Sequence, residues 1–163
     1  MRILIADDHG IVRGGLKLLI DRQPDMEVVA EAEDGVAALE STQEHRPTVA
    51  VLDVSMPRMT GLQAAREIRA HAPDTRVLML SMHDDERYFL EGLEAGAAGY
   101  VLKRAADKDL IDAVLGLCHD LHVGLALDQQ PEAAANDAVV VGDQDPHVTP
   151  MVSSMVVPAP GSV

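Results

Sequence analysis

Val49-Ala50-Val51-Leu52 is a continuous apolar run that closes on a carboxylate, Asp53, with Pro57 four residues further on. A run without polar alternation reads as a strand covered on both faces of its sheet. Pro57 stops any further pairing. This constrains the fold strongly, because both faces of such a strand must be packed by other elements. The acid at its end is costly to desolvate unless something compensates it. Asp53 is either a chemical group at a sheet edge or a strand-end residue capping the next loop.

The same pattern recurs along the chain. Ile3-Leu4-Ile5-Ala6 ends in Asp7-Asp8, and Arg76 to Leu80 ends in Ser81. Ala98 to Leu102 ends in Lys103, and Glu27 to Ala32 reads as a charged strand nearer the sheet edge. Between them lie segments with helical spacing: Ile11 to Ile20, Val36 to His45, Leu62 to about His71, and 84–95 with the acidic start Asp84-Asp85-Glu86. A last helix carries Leu110, Ile111, Val114, Leu115 and Cys118 on one face, with Asp107 as its predicted cap. Apolar strands alternating with helices predict right-handed crossovers and a parallel sheet. The expected class is α/β, a flavodoxin-like, doubly wound five-stranded sheet in the order 2-1-3-4-5.

Two domains of unequal character follow. Residues 1–117 form the folded unit, and 118–163 read as an acidic, Pro/Ala/Val-rich tail without steady periodicity, mostly disordered from 121 onward. Val139-Val140-Val141 is a short strand candidate with no obvious partner in the sequence. The formal net charge is −14, and no Lys or Arg follows Lys108. Affinity for nucleic acid comes largely from cation–phosphate contacts, so direct nucleic-acid binding is not expected. The lone Cys118 reads as filler of a helix face. No run reaches membrane-span length, the N-terminal apolar stretch is too short for a signal peptide, and a cytoplasmic location is expected.

In a parallel sheet the carboxyl ends of the strands share one edge, so Asp7, Asp8, Asp53, Ser81 and Lys103 converge there. Clustered carboxylates repel and call for a cation. Carboxylate oxygens suit a hard ion such as Mg²⁺. With a lysine and a hydroxyl on the rim, such a pocket suits a phosphoryl group carried by an aspartate.

These residues resemble a known family. Asp7-Asp8-His9, Asp53-x-x-Met56-Pro57-x-x-x-Gly61, Ser81 and Tyr100-x-x-Lys103 are similar to the motifs of the receiver domain (CheY-like) of two-component response regulators, over residues 1 to about 117. Ile5-Ala6-Asp7-Asp8-His9 and Gly96 to Lys103 most resemble the NarL/FixJ (LuxR-type) subfamily. The resemblance implies that Asp53 accepts a phosphoryl group from a sensor histidine kinase or a small phosphodonor. It implies Mg²⁺ bound by Asp8, Asp53 and the Ser55 backbone carbonyl, with Asp7 acting through water. Lys103 then pairs with the phosphoryl group. Ser81 and Tyr100 are the switch pair that alters the 84–118 face, the expected surface for homodimers or heterodimers. Ser55 and His83 occupy positions that admit or block a hydrolytic water in self-dephosphorylation, but the plainer reading of His83 is an ordinary loop histidine.

The sequence departs from this family at two places. Gly10 stands where most subfamily members carry proline, loosening the start of the first helix. The 46 residues after Leu117 carry six acids and no Lys or Arg, unlike a helix-turn-helix output domain. They read as a native extension, a degenerate remnant or the product of a shifted frame. The expected function is therefore a phosphoacceptor switch rather than an enzyme. The alternative is a defective or truncated transcription regulator that reaches DNA only by dimerising with an intact one. An aspartyl-phosphate phosphatase lacks its second acid, because position 55 is Ser. A flavin site lacks a Gly-rich phosphate loop after Ala6.

Overall fold

A computed structural model describes residues 1–83, 86–126 and 139–141. The apolar runs form β1 (Arg2–Ala6), β2 (Glu27–Ala32), β3 (Val49–Asp53), β4 (Arg76–Ser81) and β5 (Gly99–Leu102). The helices between them are α1 (Gly10–Asp21), α2 (Gly35–His45), α3 (Gly61–His71) and α4 (Glu86–Glu94). A 3-10 turn, Lys103–Ala105, leads directly into α5 (Ala106–Ala126). The five strands are parallel and ordered β2-β1-β3-β4-β5, as the strand–helix alternation predicts.

The apolar runs are continuous because the two faces of the sheet each build a core. Leu4, Ala6, Leu52 and Met79 meet Ala65 and Ile68 of α3 on one side. Ile3, Ile5, Val51 and Leu80 meet Leu16 and Ile20 of α1 and Leu110 and Leu117 of α5 on the other. Adjacent residues of a strand point to opposite faces, so both must be apolar when both faces are packed. All five residues of β3 are buried, whereas β2 lies at the sheet edge and buries only Ala32. Cys118 is buried in the α5 face with its sulfur 3.2 Å from that of Met1, and burial pushes its thiol pKa up.

The structure corrects the sequence reading at three places. Val139–Val141 does have a partner: as β6 it pairs in parallel with β5, matching Gly99 to Val139 and Val101 to Val141. The described sheet thus has six strands, with α5 in the crossover between β5 and β6. Pairing across a crossover is non-local, which is why the triplet alone did not disclose it. Asp107 does not cap α5. The 3-10 turn brings the chain into the helix at Ala106, so Asp107 sits in the first turn and favours the helix through its dipole. Lys103 likewise opens that turn instead of ending β5. The acidic start Asp84-Asp85 and the tail segments 127–138 and 142–163 lie outside the described residues. Among the described residues no helix is long and apolar enough to cross a membrane.

Candidate functional site

Register places the strand ends side by side. Ala6 pairs with Leu52, so Asp7 and Asp53 are adjacent, and Asp53 pairs with Leu80, one residue before Ser81. Ser81 in turn pairs with Leu102, one residue before Lys103. The expected convergence at one sheet edge is therefore met.

Asp7 is fully buried and Asp53 nearly so. The Lys103 ammonium lies 2.8 Å from Asp53 Oδ2 and 2.8 Å from Asp7 Oδ2, itself only 7% exposed. At Asp7 Oδ2 the contact is one of charge, without a well-directed hydrogen bond. The other oxygen of Asp7 accepts the His9 amide at 2.8 Å. Asp53 Oδ1 accepts the Ser55 amide at 3.3 Å, a long bond. Burial holds the Asp53 carboxyl above its ordinary pKa; Lys103 opposes this and the Asp7 charge adds to it. Burial alone would lower the Lys103 pKa, but its close contacts with the Asp53 and Asp7 carboxylates raise it. The lysine is thus a fixed cation over a carboxylate that is poorly solvated and only partly neutralised.

Asp8 stands at the solvent side, with its Oδ1 2.8 Å from His9 Nδ1. Asp7, Asp8, His9 and Asp53 each place one ligand atom within 4.8 Å of the others. This set is dominated by hard carboxylate oxygens and contains no thiolate. Its chemistry fits a divalent hard cation. Beside it a cleft of about 450 Å³ is lined by Asp8, Val54 to Pro57, Thr60, Leu62 and Tyr88. Gly61 closes the loop behind Asp53: its amide donates to the Val54 carbonyl at 3.0 Å, and a Cβ there would lie 2.0 Å from the Asp53 carbonyl oxygen.

Residues 3–115 match the model of the response regulator receiver domain family. The chain belongs to that family. It is 50% identical over 115 residues to the oxygen regulatory protein NreC of Staphylococcus epidermidis, an alignment covering 70% of this chain and 53% of that protein. The corresponding protein of Staphylococcus carnosus is 48% identical over 115 residues, again 70% of this chain and 53% of the relative. The chain thus spans about half the length of these curated relatives. Among solved structures it resembles the signal receiver domain of the response regulator NarL from Mycobacterium tuberculosis, at 39% identity and TM-score 0.70, covering 72% of this chain and 95% of that one. It also resembles the response regulator domain of Thermotoga maritima CheB, at 32% identity and TM-score 0.69, covering 73% and 96%.

The remaining predicted residues of this receiver meet through a backbone relay. Ser81 is buried, and its Oγ accepts the His83 amide at 2.9 Å. Tyr100 is buried too, and its hydroxyl donates to the His83 carbonyl at 2.9 Å. The His83 ring stacks on Tyr88 with centroids 4.7 Å apart. His83 therefore joins Ser81 to Tyr100 through its main chain, which a reading of its imidazole alone misses.

Two arginines brace the loops that carry the site. Arg13 Nη1 donates to the Asp7 carbonyl at 2.6 Å, and its Nε lies 3.4 Å from Glu31, tying the acidic loop to β2. Arg58, in the loop after Asp53, donates from Nε to Asp34 Oδ2 at 2.8 Å. Local sequence offers one clue: Asp34 before Gly35 is a helix-cap signal, and Asp34 Oδ1 does accept the Ala37 amide at the start of α2.

Proposed function

We propose that this receiver is a phosphoacceptor switch in two-component signalling, with Asp53 taking a phosphoryl group from a sensor histidine kinase. The observation that carries the reading is the Lys103 ammonium held 2.8 Å from both Asp7 and Asp53 beside a solvent-facing Asp8. An Asp53 oxygen attacks phosphorus, the bond from phosphorus to the donor nitrogen breaks, and an acyl phosphate forms on Asp53. The donor imidazole keeps the electron pair and takes up a proton. Lys103 offsets negative charge gathering on the transferred group. Asp8, Asp53 and the Ser55 carbonyl would hold Mg²⁺, with Asp7 acting through water. The ion supplies charge neutralisation for the phosphoryl oxygens.

The output follows from the same edge. Ser81 trades its bond to the His83 amide for one to the phosphoryl group. That frees the His83 main chain and, with it, the Tyr100 hydroxyl. The 84–118 face then changes its affinity for a second receiver, identical or related. This is a two-state element biased by one local charge. Acting as a switch, the chain needs no turnover beyond loss of its own phosphoryl group, and Ser55 and His83 flank the path of the water.

The test is labelling by acetyl phosphate, read as the mass of one added phosphoryl group. Labelling should require Mg²⁺ and vanish in Asp53→Ala. Labelling that survives this substitution refutes the assignment.

A further inference from the structure

Arg58 adopts a left-handed backbone, φ 63°, which an L residue enters at a cost and glycine enters freely. Its side chain reaches across to the start of α2. Nε and Nη2 both donate to Oδ2 of Asp34, a buried carboxylate whose other oxygen caps that helix. The neighbouring residue reinforces the contact. The Met59 carbonyl accepts the Gly35 amide at 3.0 Å, and a Cβ on Gly35 would sit 2.4 Å from that carbonyl oxygen.

The 54–60 loop is thus attached on two sides. Toward the acidic pocket Val54 is pinned to the sheet by its amide on the Leu80 carbonyl at 2.9 Å and by the Gly61 amide on its own carbonyl, while Ser55 itself is held only by the long bond from its amide to Asp53. Away from the pocket it is held by Arg58 and Met59 against α2. Ser55 lies between these attachments, and its own bond to the pocket is the weakest of them. Beyond the Val54 anchor, the path of the Ser55 main chain is set in part by the outer attachment.

We propose that Arg58 is a positioning residue: its clasp on Asp34 fixes the 54–60 loop so that the Ser55 carbonyl is ordered for Mg²⁺ before the ion arrives. The inference rests on the functional reading given above. Ordering a ligand in advance removes an entropic cost from binding, which raises affinity without any contact between Arg58 and the ion. Lysine retains the charge but lacks the planar fork that places two donors on one carboxylate, so it restores only part of the effect. Glycine separates positioning from folding. It relieves the left-handed backbone while removing the clasp, so a purely structural Arg58 predicts no loss in that variant.

The experiment is calorimetric titration of the full-length chain with Mg²⁺, alongside thermal unfolding in chelator and acetyl phosphate labelling. Arg58→Gly should unfold within a few degrees of wild type yet bind Mg²⁺ roughly fivefold more weakly, the scale of a partly exposed ion pair. Arg58→Lys should recover part of that affinity. Asp34→Asn, which keeps a capping oxygen but no charge, should reproduce the loss. Saturating Mg²⁺ should return the Arg58→Gly labelling rate to near wild type. Wild-type affinity in Arg58→Gly, or labelling that saturating Mg²⁺ fails to restore, overturns this proposal alone. A wild-type chain that neither binds Mg²⁺ nor is labelled overturns the functional reading and this proposal together.

Discussion

Replacing Lys103 with methionine keeps the side-chain volume and deletes the one charge that lies between two buried carboxylates. In the native chain the ammonium is 2.8 Å from each, and Asp7 has no exposed surface. Each contact carries an attraction of about 6 kcal/mol at an effective dielectric near 20, most of it spent on desolvating the lysine. Removing one partner of a buried pair typically costs about 3–5 kcal/mol. Here the loss has a ceiling, because a stranded carboxylate can take a proton. Protonating a group of ordinary carboxylate pKa at pH 7 costs about 4 kcal/mol.

The loss is therefore expected at about 3–4 kcal/mol at pH 7, shrinking to about 1.5 kcal/mol at pH 5, where protonation is cheaper. The sign follows from the groups involved. Asp53 already titrates above its ordinary value, so the stability linked to its protonated form is present below the ordinary value and lost as pH rises through the raised one. Without Lys103 the Asp53 carboxyl shifts further up, and the variant regains stability as pH falls. The Lys103 pKa is also raised, so its own contribution is complete below the ordinary lysine value and disappears only as pH rises through the raised one. Urea unfolding in chelator at both pH values measures this. A loss under about 1 kcal/mol at pH 7, or one independent of pH, would refute the reasoning.

Two other substitutions test the frame around the site. Gly61→Ala sets a Cβ 2.0 Å from the Asp53 carbonyl oxygen, so the backbone must move; urea unfolding should show a loss of about 2 kcal/mol or more, with weaker labelling of Asp53. Tyr100→Phe deletes the hydroxyl that donates to the His83 carbonyl and should cost about 1 kcal/mol, with faster hydrogen exchange at the His83 amide; unchanged exchange there would mean the relay is not coupled.

Much of this protein was readable along the chain. The strands at Ile3–Ala6, Val49–Asp53 and Arg76–Ser81 were legible because a strand packed on both faces needs consecutive apolar residues. Four further strand-end groups, Asp7, Asp8, Ser81 and Lys103, were legible as site candidates because a parallel sheet brings its carboxyl ends to one edge. The end of β5 and the start of α5 were less clear. Lys103 and Asp107 both carry polar signals at that boundary, and a 3-10 turn there moves each by a position or more.

What the sequence by itself determined was the order of elements and the set of chemical groups at one edge of the sheet. Both follow from periodicity and from the parity of side chains along a strand, which are local properties. The tertiary structure alone decided which groups touch. It set Lys103 between Asp7 and Asp53, used the His83 main chain to join Ser81 to Tyr100, paired Val139–Val141 with β5, and carried Arg58 to Asp34. These contacts link residues on different elements, and their geometry depends on how strands and helices pack together.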